Sequence, residues 1–302
     1  MSGKAWVNGK IVDSFDSFFS LGALHYGAVV FDGILCIAKA QKHCFLFRLY
    51  EHINRIFYSA QVLGLKIPYS KDEFAKAVID LIKYSGCSSY YIRPLVFSNK
   101  FYTNILPKNK KESVNVVILY KKFNFWKFVF QMKIKLKVMI SRKIINIWTG
   151  ELALAKISGK YLSYLMALVE AKENNFDDAI ILDEKQKISE ASTSNIFIVK
   201  NNVIKTPLCK NILPGVTRAS VIEIAKKIGY QVYEGNISAE ELFNSDEIFF
   251  TNTARGIIST FQIEKSNKIK QDKITRLIRE KYLDIIRGRD SEYFKWLTPV
   301  NI

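Results

Sequence analysis

Between residues 160 and 253 the apolar side chains change period repeatedly, and this does most to limit what the chain can fold into. Residues 160–174 place Tyr161, Leu162, Leu165, Met166, Leu168 and Val169 at helical spacing. "DAIILD" (178–183), "NIFIVK" (195–200) and "VIKTP" (203–207) are short β-branched runs, the last two joined by an Asn201-Asn202 turn. A helix over 217–229, a strand over 230–235, a short helix over 239–245 and a strand over 246–253 follow.

The first 120 residues mix the two periods as well. "AWVNGKIVD" predicts a hairpin around Asn8-Gly9. Residues 51–65 put Ile53, Ile56, Phe57, Ala60 and Leu63 on one helical face, ended by Gly64, and 72–86 repeat the pattern. "SYYIRPLVF" and "VNVVILY" predict strands. Residues 121–131 break the pattern, and "QMKIKLKVMIS" (131–141) then alternates as a half-exposed strand does. The expectation is an α+β or mixed α/β chain of two domains: a small one over 1–120, a linker over 121–131 and a large one over 132–302.

Composition bounds the class. Hydrophobic residues make up 49% of the 302, enough for a real core, and no run reaches the roughly 18 uncharged apolar residues of a membrane helix. The start lacks a basic region followed by an apolar run, so a cytoplasmic location is expected. Cys36, Cys44, Cys87 and Cys209 form no C-x-x-C pair, which fits reduced thiols, and His25, His43 and His52 have no metal-ligand spacing, so no metal is expected. The net charge of +17 comes from dispersed lysines, which read as a solvated surface in preference to a nucleic-acid or membrane face.

Four stretches carry groups capable of chemistry. Lys156 lies between apolar Ala155 and Ile157. Burial would favour its neutral amine, able to form a Schiff base or take a proton, while a snorkelling lysine is the plain alternative. "NILPGVTRAS" (211–220) opens a helix at Val216 and Thr217 after a Pro214-Gly215 turn; its first amides suit an anion, or are simply capped. Glu190, in "ISEASTSNIFIV", suits a cationic ring nitrogen or is an ordinary turn glutamate. Arg93 in an apolar strand, and Arg55 on the helix at 51–65, need an ion-pair partner or a ligand anion.

In order and spacing, "ALHYGAVVFDGI", "EHINRIFYSA", "YIRPLVF", "AKISGKYLSYL", "ISEASTSNIFIV", "ILPGVTRASVIEIAKKIG" and "DEIFFTNTA" resemble the class IV, fold-type IV aminotransferases that use pyridoxal 5'-phosphate. The branched-chain amino acid group is nearest, and the resemblance covers nearly the whole chain. It implies that Lys156 is the Schiff-base lysine and the base that moves the substrate proton. Glu190 would face the pyridine nitrogen and Tyr161 the phenolic oxygen, with Arg55, the amides of Val216 and Thr217, and Thr253 holding the phosphate. Tyr26, Phe31, Gly33, Tyr91, Arg93, Ala254 and Arg255 would line the substrate pocket, Tyr26 and Arg93 toward a glutamate side chain. It further implies an L-amino acid and 2-oxoglutarate as partners, and a homodimer or higher assembly. Related class IV activities, on D-amino acids or as aminodeoxychorismate lyase, and a non-catalytic basic binding protein are the alternatives.

The departures gather in the pocket. "FDGIL" stands where the family usually reads F-E-G-I/L-R, so Asp32 is shorter and Leu35 has lost a cation. "TAR" replaces T-A-A, a stretch whose amides meet the substrate carboxylate in the family, and Lys160 stands where Asn is usual. Arg255 is expected either to meet an extra anionic group of a substrate or to point to solvent.

Overall fold

The computed structural model describes residues 5–12, 23, 26–40, 43–98, 114–264, 267–269 and 271–301. The chain divides into two compact units. One comprises Met1–Asn124, Ala155–Lys160 and Ile286–Ile302, the other Phe125–Leu154 and Tyr161–Ile285. Two later segments, 155–160 and 286–302, thus pack with the first unit, although a division at 121–131 would assign them to the second.

The first unit is an antiparallel sheet backed by helices. Its strands run in the order Leu297–Asn301, His43–Phe47, Ile34–Ala40, Tyr90–Ser98, Val114–Lys122, Ala5–Val7, Lys10–Val12, with Val29–Phe31 also on Tyr90–Ser98. Asn8 and Gly9 take φ of 45° and 96°, the two positive values a tight hairpin turn needs. The helices Leu49–Val62 and Lys71–Ser85 bury Ile53, Ile56, Phe74 and Val78 against Ile34, Leu46, Ile92 and Val116 of the sheet. The second of them starts at a capping box: Ser70 accepts from the Glu73 amide and Glu73 from the Ser70 amide.

The second unit is built on a mixed sheet ordered Ile188–Ala191, Asp178–Asp183, Leu136–Asn146, Gly256–Ile263, Glu247–Asn252, Asn195–Lys200, Val203–Thr206, Val232–Glu234. Asn267–Lys268 adds to Gly256–Ile263. Three pairings in this sheet are parallel. The strand predicted from Gln131 begins at Leu136, because Phe125–Lys133 is a helix that buries Phe128 and Met132, four residues apart on one face. The segment read as a linker is therefore strand to Lys122 and helix from Phe125.

The helix predicted over 160–174 spans Tyr161–Glu173, but the face it buries is Tyr164, Ala167, Glu170 and Ala171. Leu162, Leu165, Met166 and Val169 are exposed. Both faces of this helix are apolar, so period alone cannot choose between them; the small Ala167 and Ala171 allow the close approach to the sheet. No helix among the described residues is long and apolar enough to cross a membrane.

Candidate active site

Lys156 is held by its backbone. Its amide donates to the Ser59 hydroxyl at 2.9 Å, and its carbonyl accepts from the Phe31 amide at 3.2 Å. Ile157 bridges Val30, and the Gly159 amide donates to the Gly27 carbonyl at 3.0 Å. That approach requires Gly27: its φ is +62°, and a Cβ there would lie 2.8 Å from the Cα of Gly159. Ala155 and Ile157 are buried and Lys156 is half-buried, its Nζ 4.8 Å from the centroid of the Phe31 ring. Lys160 is buried, with Nζ 3.3 Å from the carbonyl of Ala155.

Arg55 comes from the helix Leu49–Val62, whose Ser59 also holds Lys156. Its guanidinium grips Asp32, Nε on Oδ2 at 2.8 Å and Nη2 on Oδ1 at 2.7 Å. His52, one helical turn earlier, places Nδ1 2.8 Å from Asp32 Oδ1, and the Gly33 amide donates to the same oxygen at 2.6 Å. Asp32 is fully buried. Burial alone would raise its carboxyl, but the charge of Arg55 and then the charge of His52 outweigh it and hold the group well below the usual carboxylate range. Burial depresses His52 below the ordinary imidazole value, against the pull of Asp32. The sequence reading missed Asp32 and His52 as partners; the three-residue spacing of His52 and Arg55 was the available signal.

Strand Tyr90–Ser98 presents Tyr91 and Arg93 together. Arg93 Nη2 donates to the Tyr91 hydroxyl at 2.9 Å, and the guanidinium lies 4.8 Å from the centroid of Phe31. Its buried Nε has no hydrogen-bond partner, and among the described residues no carboxylate pairs with it. Gly33 makes room for Tyr91: a Cβ there would be 2.1 Å from the tyrosine oxygen. Leu35 is buried opposite Tyr91, and Tyr26 is exposed.

In the second unit, Glu190 is buried on strand Ile188–Ala191 and accepts from the Tyr164 hydroxyl at 2.8 Å. Burial and then the charge of Glu190 push the Tyr164 phenol far above its ordinary value, so it stays a donor. Tyr161, half-buried on the same helix, meets Tyr164 edge to face with centroids 5.2 Å apart. The helix Val216–Lys227 has Gly215 at its cap position and no side-chain cap, so its first amides are available to an anion. Gly215 is needed there, since a Cβ would lie 2.1 Å from Asn195 Oδ1. Thr253 and Ala254 form the tip of a hairpin. The Arg255 guanidinium, 31% exposed, is paired with Asp178 at 2.9 Å. Tyr164 and Asp178 were not among the sequence candidates.

The donor set fits pyridoxal phosphate chemically. The first unit supplies an amine for an aldehyde carbon, and the second supplies a buried carboxylate for a ring nitrogen and a helix N-terminus without side-chain cap for a phosphate. The family model for class IV amino-transferases matches residues 30–263. The branched-chain-amino-acid aminotransferase of Pseudomonas aeruginosa is 30% identical, over 99% of this chain and 97% of its own. A probable branched-chain-amino-acid aminotransferase of Rickettsia bellii is 34% identical over 94% and 96%. Among solved structures, the branched-chain aminotransferase of Thermoproteus uzoniensis with norvaline superposes with a TM-score of 0.91, at 33% identity over 99% and 100% of the two chains. The T.th. branched-chain amino acid aminotransferase complexed with N-(5'-phosphopyridoxyl)-L-glutamate gives 0.89 at 32% identity, over 100% and 99%.

Proposed function

The chain belongs to the class IV aminotransferases, and on that premise we propose that it moves an amino group between a branched-chain L-amino acid and 2-oxoglutarate, with pyridoxal 5'-phosphate as cofactor. The observation that carries this reading is Lys156: a half-buried amine over Phe31, in a segment tied by both backbone groups to a helix and a strand.

When bound, the cofactor supplies an electron sink for the carbanion formed at the amino acid's α carbon. The rest falls to this chain. The Lys156 amine would hold the aldehyde carbon of the cofactor and, as a free amine, would move the proton between the amino acid's α carbon and that cofactor carbon. Glu190, oriented by the Tyr164 hydroxyl, keeps the ring nitrogen protonated. Tyr161 serves the phenolic oxygen. Arg55, held by Asp32, binds the phosphate together with the amides of Val216 and Thr217 and with Thr253. Phe31, Gly33 and Tyr91 receive a branched side chain, Tyr26 and Arg93 the side-chain carboxylate of glutamate, and Ala254 the α-carboxylate. The chain works as a homodimer in the cytoplasm; the exposed aliphatic face of Leu162, Leu165, Met166 and Val169 supports self-association.

The test is the visible absorbance of purified protein before and after L-leucine or L-glutamate. A yellow band that bleaches with both, and is missing from Lys156→Ala, is the expected result. A band that bleaches only with D-alanine would replace the substrate assignment. No band after adding pyridoxal phosphate, with none in excess of the Lys156→Ala control, would overturn the reading.

A further inference from the structure

Arg255 stands in a hairpin tip where a substrate anion could meet it, yet its guanidinium is already engaged. Nη2 donates to Asp178 Oδ2 at 2.9 Å and to the Ser194 hydroxyl at 3.2 Å. Asp178 is 1% exposed, and its other oxygen accepts from the Ser192 hydroxyl at 2.5 Å and the Ala179 amide at 2.9 Å. The main chain of Arg255 joins the same set. Its amide donates to Asn252 Oδ1 at 2.7 Å, and Asn252 Nδ2 donates to Ser194 Oγ at 2.8 Å and to the Thr193 carbonyl at 3.3 Å. Both ends of the turn 252–255 are therefore tied to the turn 192–194, which directly follows the strand of Glu190, and to the strand Asp178–Asp183.

Between those ties, the amides of Thr253 and Ala254 have no acceptor among the described residues. Gly256 closes the turn at φ +68°, where a Cβ would lie 2.3 Å from Met132 Sδ. The turn thus holds two donors without an acceptor among the described residues, and its ends are pinned by a charge pair whose anion is buried.

Resting on the reading of Thr253 and Ala254 as ligand-binding, we infer that Arg255 and Asp178 form a positioning pair that fixes this turn, and that Arg255 does not receive a charge from the substrate. Preorganised donors bind without an ordering cost, and freeing the turn restores that cost for every ligand that uses it. The effect is then blind to the substrate's side chain.

The experiment measures KM and kcat for L-leucine and L-glutamate, and pyridoxal phosphate affinity of the apoprotein. The proteins are wild type, Arg255→Ala, Arg255→Lys, Asp178→Asn and the Arg255→Ala/Asp178→Asn double variant. For Arg255→Ala, KM should rise by the same factor for both donors, about tenfold, with kcat changed less than about threefold. Arg255→Lys should recover part of the loss. The double variant should be no worse than Arg255→Ala, because no buried charge is then left unpaired. A rise in KM for glutamate alone would make Arg255 a substrate receptor and overturn the inference. A lowered melting temperature with both KM values unchanged would do the same. If wild type turns over neither donor, the transaminase reading fails by itself. The cofactor titration then decides the pair: weaker binding by Arg255→Ala supports it, and unchanged binding overturns it.

Discussion

Replacing Asp32 by Asn tests the charge network beneath the proposed phosphate-binding arginine. The substitution keeps the size of the side chain but removes its charge. It also turns a donor toward Arg55 where two acceptors now take its Nε and Nη2 at 2.8 and 2.7 Å. Opposite charges about 4 Å apart at an effective dielectric constant of about 20 attract by about 4 kcal/mol. Breaking a buried pair from one side costs about 3–5 kcal/mol, which agrees. With Asp32 fully buried and Arg55 9% exposed, water can do little to offset the loss. At about 2.1 cal/mol/K of unfolding entropy per residue, 302 residues shift by about 1.6 °C per kcal/mol, so the apoprotein should melt about 6 °C lower. The sign of the pH dependence follows from the depressed carboxyl. Its contribution is complete above the ordinary carboxylate value near pH 4 and is lost as pH falls from there toward the lower folded value. The gap between wild type and Asp32→Asn should be flat above the imidazole range, shift where His52 titrates because Asp32 pulls that ring upward, and narrow below about pH 4. Melting curves of both apoproteins across these pH values, followed by circular dichroism, are the assay. A variant that melts within about 2 °C of wild type at pH 7, or a gap that does not narrow below about pH 4, refutes the argument.

Gly33→Ala places a Cβ 2.1 Å from the Tyr91 oxygen, so Tyr91 must move and take its bond from Arg93 with it. The expected outcome in steady-state kinetics is a KM raised about tenfold for both donors, with a stability loss of about 1–3 kcal/mol. Tyr164→Phe removes the donor to buried Glu190, a loss of about 1–3 kcal/mol. Weaker pyridoxal phosphate binding, read by absorbance titration of the apoprotein, should accompany it. Because the phenol is pushed far above its ordinary value, wild type and variant should differ by a constant factor between about pH 6 and about pH 9.

Much of this is legible in the sequence itself. The hairpin at Asn8-Gly9, the helices at 51–65 and 72–86, and the short strands after residue 178 follow from turn chemistry and period, which are local properties. Two kinds of feature are not. Where a helix is apolar on both sides, as at Tyr161–Glu173, the sequence cannot say that alanines rather than leucines face the sheet. Where a site depends on a long-range partner, the partner is invisible: Asp32 meets Arg55 across 23 residues, and Arg255 meets Asp178 across 77. The packing of residues 155–160 with the first unit belongs to the second kind, since nothing local distinguishes that excursion.

Of the described arginines proposed for ligand binding, Arg93 is the one without a carboxylate partner. Leu35 contributes no cation, and the charge of Arg255 is cancelled by Asp178. Arg55 is matched by Asp32. Arg93 differs: it lies over Phe31, holds the Tyr91 hydroxyl and keeps a buried Nε with no partner among the described residues. A buried guanidinium nitrogen left without a partner is costly, and a ligand carboxylate would complete it. Arg93→Met keeps the apolar stem and removes the charge. Loss of the Tyr91 bond should weaken both donors alike, whereas loss of a charge-assisted bond to a side-chain carboxylate should weaken glutamate further. That second loss is about 1.5–3 kcal/mol, a further fall of about 10- to 150-fold in kcat/KM for glutamate relative to leucine. Equal losses for the two donors would show that the charge of Arg93 serves the fold of the pocket and not the recognition of glutamate.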